Sequence, residues 1–387
     1  MKRTYDIIIV GGGPAGSTAG YILSRSGFKV LLIDKSTFPR HKLCGGCITH
    51  KTIRLLQRVF GENVEDLKKN GVINFESGHY KIFCKDKLLT KRDSPAPFYF
   101  VERYIYDNFF LRKARQSGVE VIEGEGVISC DLSKSEILTS SGKTFAARLV
   151  IGADGVNSTI RRSLPDLDRQ HWIENLAVAL EIFVNRYEME REIDCPSLFF
   201  EYIEFGYGWI FPNKDRLIIG MCSINNTNKK MIFRSFNNFL TAVGFRNLEN
   251  LKSCAYHFPY GNFLLKPAYK NVLLIGDAAG FADPLLGEGV FFSQRSAELA
   301  SQAICEVLRE DRNPDTLENQ ITDRYLQLLQ KDILLEFIYA QKIKTFIFKY
   351  LNKYHYLPLK IIMGLLGTKP LEAVHGIRSY KWLRKLP

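Results

Sequence analysis

The sequence predicts an α/β (α+β) fold: a Rossmann-like nucleotide-binding domain, an interleaved antiparallel-sheet domain and a helical C-terminal region. Three observations carry this. The apolar run Ile7–Val10 enters Gly11-Gly12-Gly13-Pro14-Ala15-Gly16, where a helix should begin. Far downstream, Val272–Ile275 enters Gly276-Asp277-Ala278-Ala279-Gly280 in the same manner. Between them, residues 172–265 are rich in short strand-like runs. The chain thus builds a nucleotide core, leaves it, and returns.

The first segment is a strand, a Gly-x-Gly-x-x-Gly turn and a helix. Gly11 permits the tight turn, Gly13 lets the backbone approach a pyrophosphate, and Gly16 lets helix and strand pack closely. The helix start presents free N–H groups and a positive dipole end to phosphate. That helix should run from Gly16 to Ser26, followed by a strand from Lys29 to Ile33 that ends in Asp34. Asp34 stands at the right distance to bind a ribose hydroxyl. Tyr106–Ser117 reads as a helix, Val119–Ile122 as a strand and Gly124–Val127 as a loop passing the adenine. Ile128–Phe145 alternates like a hairpin turning at Ser140-Ser141-Gly142-Lys143, and Leu149–Ile151 returns to the core sheet. Ala177–Phe183, Ser197–Ile203 and Leu217–Met221 read as strands of the second sheet, which residues 73–100 should join. A long helix should cover Gly289–Leu308. The expected division is 1–75, 101–170 and 266–325 for nucleotide binding, 76–100 and 171–265 for substrate, and 326–387 for the helical region.

Composition sets bounds. With 387 residues and 46% hydrophobic content the chain can bury a large core. No apolar run reaches the ~18 residues of a spanning helix. Met1-Lys2-Arg3 before Ile7–Val10 is too short for an export signal and leads directly into the nucleotide turn. A cytoplasmic location is therefore expected, with the eight cysteines mostly reduced. The net charge is +12. From Lys331 to Pro387 there are 11 basic and 3 acidic residues, interleaved with Phe337, Phe346, Phe348, Tyr350, Tyr354, Tyr356, Ile361 and Leu365. A basic, aromatic, amphipathic tail suits the surface of an anionic bilayer. A solvated basic face over an ordinary core helix is the other reading. No nucleic-acid motif accompanies the charge, so no nucleic-acid partner is expected.

A third block, Leu149-Val150-Ile151-Gly152-Ala153-Asp154-Gly155-Val156-Asn157-Ser158, lies between the two glycine segments. Together the three resemble FAD-dependent enzymes of the p-hydroxybenzoate hydroxylase fold. The resemblance implies that Asp277 lies near the ribityl and pyrophosphate region and that Asp154 and Gly155 form a turn serving flavin and reductant. It also implies that Arg103 helps hold the FAD. No second Gly-x-Gly-x-x-Gly marks a separate NAD(P) domain. Two further blocks are His41-Lys42-Leu43-Cys44-Gly45-Gly46-Cys47 and Tyr207-Gly208-Trp209-Ile210-Phe211-Pro212, the latter placed between strands. With Asp283-Pro284-Leu285-Leu286-Gly287-Glu288-Gly289-Val290 they resemble the geranylgeranyl reductase family, from residue 5 to about 310. Its members reduce isolated double bonds of polyprenyl chains. The resemblance implies a Lys42–Gly46 loop beside the flavin and a lipid pocket lined by Tyr207, Trp209, Phe211 and Pro212.

The cofactor-binding candidates are Gly11, Gly13, Ala15, Gly16, Asp34, Lys35, Cys44, Gly45, Cys47, Arg103, Val127, Asp154, Asp277, Gly287, Gly289 and Val290. An unactivated alkene offers no oxygen to polarise, so its protonation is the demanding step, and Cys44 is the candidate catalytic group. Trp209 and Phe211 offer flat apolar area at low entropy cost. Cys44 and Cys47 are also spaced as a dithiol pair, and Cys47 bonding to Cys44 under oxidation would block the site. No second such pair completes a metal site. The expected cofactors are FAD and, as donor, NAD(P)H or a reduced redox protein. The expected partner is a long-chain isoprenoid, with peripheral contact at the inner membrane face. The competing reading is an FAD-dependent monooxygenase or halogenase of the same fold. Against the halogenase stands the absence of the first tryptophan of a Trp-x-Trp-x-Ile-Pro pattern.

Overall fold

The computed structural model describes residues 5–165, 167–189, 192–224, 231–245, 253–310 and 314–385. The chain forms two compact units, each assembled from three separated segments. The first comprises Met1–His41, Tyr104–Ile173 and Pro259–Phe337. The second comprises Lys42–Arg103, Glu174–Phe258 and Ile338–Pro387.

In the first unit the strand Tyr5–Val10 lies between Val30–Asp34 and Thr144–Gly152, parallel to both. Glu120–Glu123 extends the sheet beyond Val30–Asp34, and Val272–Leu274 extends it beyond Thr144–Gly152. Strands buried on both faces read as continuous aliphatic runs, and Ile7, Ile8 and Ile9 are fully buried. The helix Pro14–Arg25 follows the first strand, and Val290–Glu310 follows the late glycine segment. The stretch expected as one hairpin is three strands, Val127–Asp131, Glu136–Thr139 and Thr144–Gly152. Its predicted turn joins the second and third of these, and Val127 opens a strand rather than closing a loop.

In the second unit eight strands among the described residues form one sheet. Ala177–Asn185 pairs antiparallel with Arg216–Ser223 and with Cys254–Phe258, and Gly206–Pro212 pairs with Arg216–Ser223. The Tyr207–Pro212 block, expected between strands, is therefore itself a strand. One face carries Val178, Leu180, Ile182, Ile210, Ile219 and Met221, and the helix Ile232–Ala242 covers it with Phe236, Phe239 and Leu240. Residues 42–75, expected with the nucleotide-binding part, fall in the second unit, because Cys47 pairs with Phe100 and Ile73–Cys84 runs along Lys87–Val101. The C-terminal region divides at Phe337, whose ring is fully buried in the first core against Phe292 and Phe263.

Phe239 is fully buried and stacks near Phe199 and Tyr202, each with ring centroids at 5.1 Å. Phe239→Ala is expected to cost about 3–5 kcal/mol. A denaturant midpoint unchanged from the parent chain would contradict that placement.

Candidate functional site

The first unit presents a cradle at the end of its central strands. Gly11 has φ +107°, and a Cβ there would lie 2.3 Å from the Ala153 carbonyl oxygen. A Cβ at Gly16 would lie 1.8 Å from the Gly11 carbonyl oxygen. The turn closes only without side chains at these points. Gly13 differs: a Cβ there would meet a single neighbour, Arg40 Nη2 at 3.5 Å. Its backbone faces open space, as close approach to a pyrophosphate requires. No side chain caps the Pro14–Arg25 helix, so its N-terminal dipole faces the same space.

Asp34 is buried where the strand Val30–Asp34 ends. Its Oδ2 accepts the Gly12 N–H at 2.6 Å and its Oδ1 accepts the Ser36 N–H at 2.8 Å. The carboxylate first pins the glycine turn. Each oxygen keeps a further lone pair, enough to accept a ribose hydroxyl. Lys35 follows it on the surface.

Arg40 was not singled out from the sequence. Its Nη2 bridges fully buried Asp107 at 3.1 Å, and its guanidinium stacks 4.8 Å from the Phe38 ring centroid. Its Nη1 is buried and has no partner. A buried donor without an acceptor costs about 1–3 kcal/mol, and a bound anion removes that cost. Arg40, Gly13 and the open helix end therefore suit a diphosphate-bearing cofactor.

The later segments complete this unit's site. Asp277 lies on the short turn Gly276–Ala278, and its Oδ1 is 3.4 Å from where a Gly289 side chain would begin. Buried Asp283 accepts the N–H groups of Leu285 and Leu286 through Oδ1, at 2.7 and 2.8 Å. That clasp shapes the Gly287–Val290 approach to the second helix, and Gly287 takes φ +72°. Asp154 is half-buried with its carboxyl turned inward, and desolvation pushes its carboxyl pKa up. Its Oδ2 accepts the Thr159 N–H at 2.6 Å, while its Oδ1 is unpaired. Arg161, buried over Trp172 at 3.8 Å, donates to the Val156 carbonyl at 2.7 Å and the Ala278 carbonyl at 3.1 Å. It ties the Asp154 turn to the Asp277 turn. Ala15, Asp34, Asp154, Asp277, Gly287, Gly289 and Val290 thus belong to one unit, with Val127 on its peripheral strand.

The second unit gathers the other candidates on the sheet face opposite the aliphatic core. Alternation puts Tyr207, Trp209 and Phe211 on this face, with Gly220 and Glu181 in register beside Trp209. A Cβ at Gly220 would fall 2.2 Å from the Trp209 ring, so the indole lies flat across that strand. The Lys42–Cys47 loop crosses above. A Cβ at Gly45 would come 2.8 Å from the Phe211 ring and 3.3 Å from Trp209 Nε1. Cys44 and Cys47 are both half-buried and not joined by a disulfide, and Cys44 Sγ accepts the Gly46 N–H at 3.4 Å. Lys42 Nζ sits 3.0 Å from the Tyr256 ring centroid. Arg103 opens the helix Arg103–Gln116. Pro212 ends its strand opposite Leu217.

The aromatic row is longer than the motif. Ring centroids step from Phe100 to Phe211 (5.9 Å), Trp209 (6.2 Å), Tyr207 (5.8 Å) and Phe200 (6.2 Å), then to Tyr356 (4.9 Å). Phe348 also meets Phe200, at 6.1 Å. Phe348 and Tyr356 are buried, which removes them from the expected membrane face of the tail.

Glu181 was also missed. It is buried in the strand Ala177–Asn185, accepts the Cys44 backbone N–H, and has an unpaired Oε2. The signal was in the sequence: one acid inside Ala177-Val178-Ala179-Leu180-Glu181-Ile182-Phe183.

A family model described as an FAD binding domain matches residues 4–232. The chain belongs to the FAD-binding domain family. It is 25% identical over 355 residues to digeranylgeranylglycerophospholipid reductase of Methanococcus vannielii, covering 88% of this chain and 86% of that one. It is 28% identical over 328 residues to geranylgeranyl diphosphate reductase of Rhodobacter capsulatus, covering 80% and 78%. A geranylgeranyl bacteriochlorophyll reductase-like structure from Thermoplasma acidophilum superposes with a TM-score of 0.76 at 21% identity, over 88% of this chain and 87% of that one. The family resemblance read from the motifs is borne out, and the fold is shared with that structure.

Arg40→Ala removes the unpaired donor beside the Gly13 opening. FAD binding is expected to weaken about tenfold, the loss of one charge-assisted hydrogen bond. A fluorescence titration giving parental affinity would remove Arg40 from the cradle.

Proposed function

We propose that this protein is an FAD-dependent reductase of carbon–carbon double bonds in a geranylgeranyl-type chain, carried by a diphosphate, a lipid or a quinone. The observation that carries the reading is the stepped aromatic row from Phe100 to Tyr356 beneath the Gly45 loop. An isoprenoid has no polar group along its length. It is recognised by extended apolar area, and flat aromatic rings supply that at low entropy cost. Two relatives bearing the names of geranylgeranyl-chain reductases support the same class.

FAD, when bound and reduced, supplies hydride chemistry at a carbon–carbon bond. The chain's own residues do the rest in this reading. The Gly11–Gly16 turn and Arg40 hold the diphosphate. Trp209 and Phe211 fix the chain and exclude water. The Cys44 thiol holds a proton at Sγ for the second alkene carbon. The reductant that recharges the cofactor is NAD(P)H or a reduced redox protein.

The expected result is direct. Protein reduced anaerobically with dithionite and mixed with geranylgeranyl diphosphate, or a lipid-linked chain, regains oxidised-flavin absorbance and yields products heavier by pairs of hydrogens. Reoxidation by O2 alone, with an oxygenated product, would replace this reading with a monooxygenase. Cys44→Ser should retain FAD and lose most turnover, while Trp209→Ala should raise KM more than it lowers kcat.

The tail supports a place at the bilayer where such chains dissolve. Phe346, Tyr350, Tyr354, Leu357, Ile361 and Leu365 are exposed, with Lys349, Lys353 and Lys360 exposed among them. No helix among the described residues is long and apolar enough to cross a membrane. Vesicles containing anionic lipid should retain the protein at low salt and release it at high salt. Equal retention on neutral vesicles at all salt concentrations would count against an electrostatic surface contact.

A further inference from the structure

Glu181 stands out among the buried groups that the proposed chemistry leaves unused. It sits mid-strand, opposite Gly220 on one neighbour and Cys254 on the other. Gly220 has no side chain, and the Trp209 indole occupies the space above it. The loop carrying Cys44 closes the remaining side, and the Cys44 backbone N–H donates to the Glu181 carboxylate. The other carboxylate oxygen, Oε2, is buried without a partner, and so is Trp209 Nε1.

A carboxylate in such a place is costly unless it does something an apolar residue could not. Its hydrogen bond runs to the Lys42–Cys47 loop. We propose that Glu181 is a positioning residue that fixes the Cys44 loop through its carboxyl and thereby sets how the Cys44 thiol is presented. The proposal rests on the reading that Cys44 takes part in the reaction.

The groups facing this carboxyl are Lys42 and the Cys44 backbone N–H from the loop, Arg103 from the start of its helix, and Cys254 across the edge strand. Burial raises the carboxyl pKa from 4.5 to about 7, while Lys42, the Cys44 N–H and Arg103 pull it down. Both protonation states are thus populated near neutrality. The anion is the stronger acceptor and grips the loop. The neutral acid grips it less.

Glu181→Gln keeps the shape and an acceptor oxygen but cannot titrate. The measurement is the alkylation rate of Cys44 in the FAD-loaded protein, followed by peptide mass spectrometry from about pH 5 to about pH 9. Parent and variant should react alike at the acidic end. Above about pH 7 the variant should react faster, by about tenfold for one charge-assisted hydrogen bond. A rate ratio that stays constant with pH would overturn the proposal. If the variant loses its circular dichroism spectrum, the parent profile decides. Two inflections, one near 7, uphold a second titrating group, and a single inflection overturns it. Thiol reactivity needs no prenyl substrate, so this result and the failure of the reductase reading are distinguishable.

Discussion

The open face of the second sheet is organised around a missing atom. A Cβ at residue 220 would overlap the Trp209 ring, so glycine there lets the indole lie flat instead of standing off the sheet. Several features follow from that posture. The Nε1 edge of the ring comes within reach of Gly45, which also lacks the side chain that would hold the loop away. The loop then lies low enough for the Cys44 N–H to meet Glu181. Aromatic area, thiol and buried acid are one construction, and its parts are coupled by van der Waals exclusion, which is steep. The opposite face shows what the sheet looks like without such demands: aliphatic side chains under a helix.

The first unit uses the same device for a different purpose. Bare positions at Gly11 and Gly16 bring backbone against backbone and leave the helix end uncovered. Here the close approach creates an electrostatic surface. Peptide N–H groups, the helix dipole and Arg40 point positive partial charge into one opening. Asp107 balances Arg40 on one side, and the unpaired Nη1 leaves the balance incomplete without an anion. Asp34 is the counterpart, holding the turn by its N–H group while keeping capacity for a hydroxyl. The segments from Asp154 to Arg161 and from Gly276 to Val290 are held to each other by Arg161 rather than by apolar packing alone.

Much of this was legible in the residues, for physical reasons that differ by region. The nucleotide cradle could be read because its turn tolerates glycine only, and such steric demands leave the same mark in any chain. Its strands could be read because burial on both faces makes them uniformly aliphatic. The Tyr207–Pro212 block was assigned its residues but not its conformation. Its aromatic alternation is that of a strand, yet Gly208, Gly206 just before the block and a terminal proline imitate a turn. Arg40 and Glu181 escaped for another reason. Their importance lies in unpaired atoms and in neighbours distant along the chain, and no local pattern reports either. Glu181 did leave one trace, a charge in an apolar strand, whose face could be assigned only once its register against Gly220 was known. The boundary near residue 42 was misplaced because it depends on Cys47 pairing with Phe100, a long-range choice.

The C-terminal region shows why a composition can be read two ways and be right in part about each. A basic, aromatic stretch predicts an amphipathic helix but does not say which stripe faces inward. Phe348 and Tyr356 turn in and extend the aromatic row at Phe200, so part of this tail packs onto that row. Phe346, Tyr350 and Tyr354 turn out beside lysines. Phe346, Phe348 and Tyr350 share one short helical segment, and Tyr356 turns in at the left-handed junction that follows Tyr354. A contact made by the outer set acts on the segment that carries the inner one, so the two sets cannot move independently.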